Sequence, residues 1–210
     1  MIIGDGCPAL FTTQASTKVY KSTGSECSVQ GGSLLAVVPH PVTCFSTARY
    51  SQSQVFRISS DSNLLVVDWF TSGRRESGEW WDFGPYKSRL LEQGGGTSSI
   101  AERMQAYQVI AMVVLIGPKL RHIQGQLQED MKKLMSRCIR KSSHAGGPYS
   151  NPRAKYVPEK PPLIASCSSF VPKVVRVVVR KAALTTDSVY EFLRLHLADM
   201  EPLLGAPIYG

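Results

Sequence analysis

Three apolar runs constrain the fold of this chain more than any other feature: Ser33–Val38, Asn63–Phe70 and Val109–Ile116. Each is too short for an ordinary helix and more continuous than alternating. A strand with one wet face alternates apolar and polar residues, so a continuous run reads as a strand buried on both faces. Val109–Ile116 is β-branched and stops at Gly117-Pro118, which suits a central strand. Ala9–Thr13, Lys18–Lys21, Val55–Ile58 and Val171–Ala183 are further strand candidates. Gly24-Ser25, Gly31-Gly32, His40-Pro41 and Asp61-Ser62-Asn63 separate the early strands with turn chemistry, at the spacing of a meandering antiparallel sheet.

Two segments carry helical periodicity. In Pro118–Lys141 the residues Leu120, Ile123, Leu127, Met131, Leu134 and Cys138 recur in steps of three or four. Basic residues crowd its C-terminal end, as the helix dipole favours. Thr185–Met200 repeats the pattern with Val189, Phe192, Leu193, His196 and Met200; Ser188 and Glu191 form a capping-box pattern, and Pro202 stops the helix. The expectation is a mainly β scaffold, multi-stranded and antiparallel or meandering, with helices at about 119–141 and 186–201. One domain spans 1–210, residues 142–162 form a Ser/Gly/Pro/Lys-rich linker within it, and no internal repeat is visible.

Charge is unevenly spread over the 210 residues. The net charge is +8, yet residues 119–181 hold fourteen Lys/Arg against three Asp/Glu, leaving the remainder acidic. A basic face for an acidic partner, such as nucleic acid, is therefore the alternative reading of function. Only Tyr149 and Tyr156 interleave with those charges, so nucleic acid is not the favoured partner. Five cysteines without Cys-x-x-Cys spacing argue against a disulfide framework or zinc ribbon and for reduced thiols in the cytoplasm. The N-terminal residues do not read as a signal peptide, and the longest apolar run is too short to cross a bilayer, so no membrane role is expected.

No phosphate-binding loop, nucleophile elbow or zinc-protease motif is present, so the chain does not read as an enzyme and no bound cofactor is expected. His40 and Cys44 are candidate metal ligands by chemistry. In an extended segment, however, residues four apart lie roughly 13 Å from each other. Asp68, Glu79 and Asp82 could line an oxygen-rich path for a divalent cation. A structural alternative is that Asp68 fixes a turn by pairing with Arg74.

Those carboxylates sit in Asp68-Trp69-Phe70-Thr71-Ser72-Gly73-Arg74, continued by Gly78-Glu79-x-Trp81-x-Phe83, a stretch that gathers all three tryptophans within thirteen residues. Gly73 and Gly78 suggest sharp turns with rings packed around them. Together with Thr12–Tyr20 (including Thr17 and Lys18), Pro39-x-Pro41-Val42-x-x-Phe45-x-x-Ala48-Arg49-Tyr50, Glu102-Arg103-Met104-Gln105-x-Tyr107 and Met200–Gly205, it resembles the urease accessory protein UreD family, called UreH in some bacteria, in a plant-like form.

The resemblance implies a β-rich, two-helix chaperone and not an enzyme. It implies a scaffold that binds apo-urease together with the helical accessory protein UreF and the GTPase UreG. GTP-dependent nickel insertion into the urease active site follows, with nickel in transit. Two departures stand out against the family pattern. A β region normally precedes Gly4-Asp5-Gly6, and a strand pair normally separates Ser88 from Leu91. Lys181 also stands where the family tends to carry an apolar residue.

Overall fold

A computed structural model describes residues 1–18, 23–73, 75–83, 86–89, 104, 106–143, 163–170 and 176–209. The chain enters through three successive coils. The first carries β1 (Ile2–Ile3), β2 (Pro8–Phe11) and β3 (Thr17–Lys18); the second carries β4 (Thr23–Val29), β5 (Leu34–Val37) and β6 (Val42–Cys44). In the third, β7 (Tyr50–Ile58) is followed by the ten-residue β8 (Asn63–Ser72), which spans the width of β5 and β6 together. Each coil stacks on the last in parallel: Pro8 lies opposite Leu34, and Leu34 opposite Asn63.

This corrects one expectation. The first half is not an antiparallel meander, because its strands pair with the strand one coil away and not with the next in sequence. The repeat is geometric, which is why no sequence repeat announces it. Antiparallel pairing does hold later, where β10 (Val109–Ile116) pairs with β8 and with β12 (Arg176–Ala183), and β12 pairs with β11 (Leu163–Phe170). The result is an eight-stranded mixed sheet, ordered β11-β12-β10-β8-β5-β2 with β6 and β3 alongside, and a small parallel sheet, β1-β4-β7-β9, with β9 at Tyr86–Arg89.

The mainly β, two-helix expectation stands. A 3-10 turn at Pro118–Leu120 leads into α1 (Arg121–Ser143), and α2 (Thr186–Leu197) is continued by a 3-10 turn and the short α3 (Glu201–Leu204). The cap of α2 is Thr185, whose hydroxyl accepts the Ser188 N–H, and not the Ser188–Glu191 box. Residues 142 and 143 close α1 instead of opening a linker; 144–162 lie outside the described residues, as do 94–103 and 171–175.

The continuous runs are covered on both sides. Along β8, Leu65, Val67 and Trp69 face the helices, with Leu120, Ile123, Leu127, Val189 and Leu193 packed over them. The alternate residues Leu64 and Val66 face the small sheet beside Val29 and Leu35. Each such side chain contributes roughly 1.5–3 kcal/mol through burial. Asn63 links the layers: its amide donates to the Ser33 carbonyl at 3.0 Å, and its oxygen accepts the Lys119 N–H at 2.8 Å. Among the described residues, no helix is long and apolar enough to cross a membrane.

Candidate functional site

At the end of β8 the chain leaves the sheet through the aromatic and acidic stretch, and its two glycines have different physical reasons. Gly78 has φ +82°, a left-handed turn open to solvent. Gly73 has no such φ. A Cβ there would stand 2.6 Å from Glu79 Oε2, 2.8 Å from the Cys44 carbonyl oxygen and 3.0 Å from the Phe45 Cα. It is glycine because β6 passes too close. Glu79 completes the joint by accepting the Ser46 N–H at 3.0 Å, tying the β6–β7 loop to the turn. Asp82 accepts the Trp80 N–H at 3.2 Å through its carboxylate, and the Thr47 N–H through its backbone carbonyl.

Gly73→Ala should therefore lower stability by about 1–3 kcal/mol, since the nearest obstacles include backbone that cannot rotate away. Urea denaturation checks it. A loss under about 0.5 kcal/mol would mean that the joint is loose.

The rings fill the space below this turn. Trp81 and Phe83 each meet Phe70 edge-to-face, at 5.9 and 6.2 Å between centroids, and lie tilted to one another at 5.7 Å. Trp81 has φ +55°, costly for a bulky residue, and is held by burial and by its indole N–H donating to the Tyr107 carbonyl at 3.0 Å. Ser72, at the end of β8, is buried.

The metal-route candidates divide between two faces. Asp68 follows Val66 on the small-sheet side, near enough to Tyr50 for its charge to act on the phenol, as does buried Cys44. Burial, then the Asp68 carboxylate, then Cys44 push the Tyr50 hydroxyl up to about 12. Burial alone pushes the Cys44 thiol up to about 12, so it stays protonated and is a weak ligand at neutral pH. His40 lies on the helix side, apart from Cys44. Its ring bonds to the Tyr190 hydroxyl and packs against Tyr190 and Tyr209 at 5.7 and 5.5 Å. Its backbone N–H donates to Thr13 Oγ1. Among the described residues, no group of three or more His, Cys, Asp or Glu could hold a metal ion. Thr17 and Arg49 are exposed. Lys18 lies in β3, and Arg74, the expected partner of Asp68, falls outside the described residues.

Sequence reading missed two contributors. Tyr190 on α2 and Tyr209 near the C-terminus close an aromatic box with His40 and Trp69, and Trp69 Nε1 and Tyr209 OH both donate to the Pro39 carbonyl, at 2.8 and 2.9 Å. No local pattern marks either tyrosine. A buried indole N–H requires an acceptor, and Pro39 lies thirty residues away. Beside the turn opens a cleft of about 560 Å³ lined by Thr43, Thr71, Ser72, Glu76, Thr185 and Thr186. It offers oxygen donors and acceptors for polar contacts.

Comparison with known proteins places this architecture. The family model "UreD urease accessory protein" matches residues 1–207. Urease accessory protein D of Oryza sativa subsp. indica is 52% identical over 229 aligned positions, covering 99% of this chain and 74% of the rice protein. That of Arabidopsis thaliana is 50% identical over 232, covering 99% and 78%. The bacterial UreD of Sorangium cellulosum is 37% identical over 135, covering 56% and 43%. The chain belongs to the UreD family of urease accessory proteins.

Proposed function

We propose that this chain is a non-enzymatic scaffold of urease maturation, working in the cytoplasm. In this reading it binds apo-urease and the UreF-type helical protein, meets the UreG-type GTPase through that complex, and assists GTP-dependent nickel insertion. The observation that carries the reading is the family match across 1–207 joined to plant accessory proteins at 50–52% identity. The architecture supports it. The signature residues Trp69, Gly73, Gly78, Glu79 and Trp81 act as joints that fix loops. Nickel is cargo in this scheme. Asp68, Glu79 and Asp82 supply the carboxylate oxygens nearest to a path along the signature turn, and His40 and Cys44 serve packing.

Expression in a urease-positive strain lacking its own UreD tests the proposal, with urease activity and nickel per urease as readouts. Activity well above the empty vector, with nickel content rising in parallel, is expected. Failure of both, together with failure to co-purify with the UreF-type protein while the rice relative succeeds, would refute it.

A further inference from the structure

Two histidine–aspartate pairs tie α1 to the end of α2, and they run in opposite directions. Asp130 of α1 has a carboxylate oxygen 3.3 Å from Nε2 of His196 on α2. Nε2 of His122 on α1 lies 3.5 Å from Asp199 in the 3-10 turn that continues α2. The outer pair is open to water: the His122 side chain is 73% exposed, and its Nε2 also has the Gln126 amide nitrogen at 2.9 Å to donate to it. The inner pair has no such relief. The His196 side chain is 9% exposed and packs on the Phe192 ring at 4.0 Å between centroids. Its Nε2 is closed off from solvent and makes no hydrogen bond among the described residues.

A neutral imidazole carries one N–H and one lone pair. At His196 both ring nitrogens meet oxygens that only accept: the Phe192 carbonyl at 2.9 Å from Nδ1 and Asp130 Oδ2 at 3.3 Å from Nε2. With the proton on Nδ1, the Nε2 lone pair faces the carboxylate. With the proton on Nε2, the Nδ1 lone pair faces the carbonyl. Each neutral tautomer leaves one buried mismatch, and the imidazolium alone donates to both oxygens. From α1, the charged groups facing this ring are Asp130 and Lys133, whose amine bonds the other Asp130 oxygen at 3.3 Å. From β12 it is Lys181, whose Nζ lies over the same Phe192 ring. β10, also packed on α2, has no titratable residue. We infer that His196 is a proton-operated clasp between the two helices: a second proton on its ring closes a charge-assisted bond to Asp130 that fastens the end of α2 to α1, and loss of that proton turns the same contact repulsive. An ordinary imidazole makes this exchange near pH 6.5, so the fastening is present on the acid side and is lost as pH rises through neutrality. Charge on Lys181 opposes it, since two cations then share one ring.

Asp130→Asn tests the clasp, because an amide can donate where the carboxylate can only accept. In urea denaturation at about pH 5.5 the variant should raise the unfolding equilibrium constant about tenfold, having lost the charge-assisted bond to a half-exposed partner. At about pH 8 it should lower that constant about twofold, with the new amide N–H donating to the Nε2 lone pair. The exposed bond to Lys133 is lost alike at both pH values and cannot reverse the sign. An equal change at both would overturn the inference. The reversal should vanish in a His196→Gln background and persist in Lys181→Met; survival in the first, or loss in the second, would assign it to another group and overturn the inference as well. If Asp130→Asn does not fold, nitrogen-detected NMR of the unaltered chain decides instead. A solvent-protected Nε2 proton on His196 at about pH 5.5 supports the clasp, and its absence overturns it. None of these readouts depends on urease activation.

Discussion

Replacing Trp69 with alanine should lower the stability of the chain by about 3–5 kcal/mol. The indole is 1% exposed, the largest side chain buried to that degree among the described residues. Truncation removes its apolar area and leaves a cavity between β8 and α2 that the flanking sheet cannot close. It also removes the edge-on contact with Tyr190 at 4.7 Å and one of the two donors to the Pro39 carbonyl. Tyr209 keeps the second bond, so that carbonyl is not orphaned, which favours the lower half of the range. Domains are stable by only about 5–15 kcal/mol, so the change takes a large share of the margin. Trp69→Phe separates the terms: it keeps most of the ring and loses the hydrogen bond, for an expected loss of about 1–2 kcal/mol. Urea denaturation followed by circular dichroism reads both variants. A loss below about 1 kcal/mol for the alanine variant would show that the box is not what fastens the C-terminal segment.

The two layers of that box show how far the sequence could be read. Trp69 sits in a run whose continuity states that both its faces are buried, and both are. Val109–Ile116 is a strand at the stated bounds for the same reason. Periodicity reports the neighbourhood of a strand and is silent about which strand pairs with which. The turns at Gly31-Gly32 and Asp61-Ser62 can close a hairpin or round the corner of a coil, and the register of Leu34 with both Pro8 and Asn63 is decided by stacking across coils. The site follows the same division. Glu79 and Gly73 were visible as residue types, but that one occupies the space a Cβ would need at the other is a fact of three dimensions. Tyr190 and Tyr209 carry no local signal, since their meaning comes from Pro39 and His40, far away in the chain.

Lys181 gives the second large effect, and its sign is opposite. It lies on β12 between Ala111 and Ala165 of the neighbouring strands, whose small side chains leave room for its long stem. The residue is 3% exposed, and its Nζ sits 2.7 Å from the Phe192 ring centroid. Among the described residues that nitrogen has no hydrogen-bond partner. His196, packed against the same Phe192 ring, gives its Nδ1–H to the Phe192 carbonyl, and its Nε2 makes no hydrogen bond among the described residues although an Asp130 oxygen lies 3.3 Å away. Burial lowers the ammonium pKa from 10.5 to about 6. The unfolded chain thus binds a proton up to about pH 10.5 that the folded chain releases near pH 6. Between those values the unfolded state holds more protons, so stability rises with pH by roughly 1 kcal/mol per unit. The penalty is complete below about pH 6 and gone above about 10.5. At pH 7 it amounts to roughly 5 kcal/mol, an upper figure because local opening would relieve part of it. Lys181→Met keeps the length and removes the charge, so it should stabilise the chain by about 2–4 kcal/mol at pH 7 and flatten the difference in slope between pH 7 and 9. Denaturation of both proteins across that interval decides the matter. Parallel slopes, or a less stable methionine variant, would mean that water reaches the amine and that the gap between β12 and α2 is open in solution.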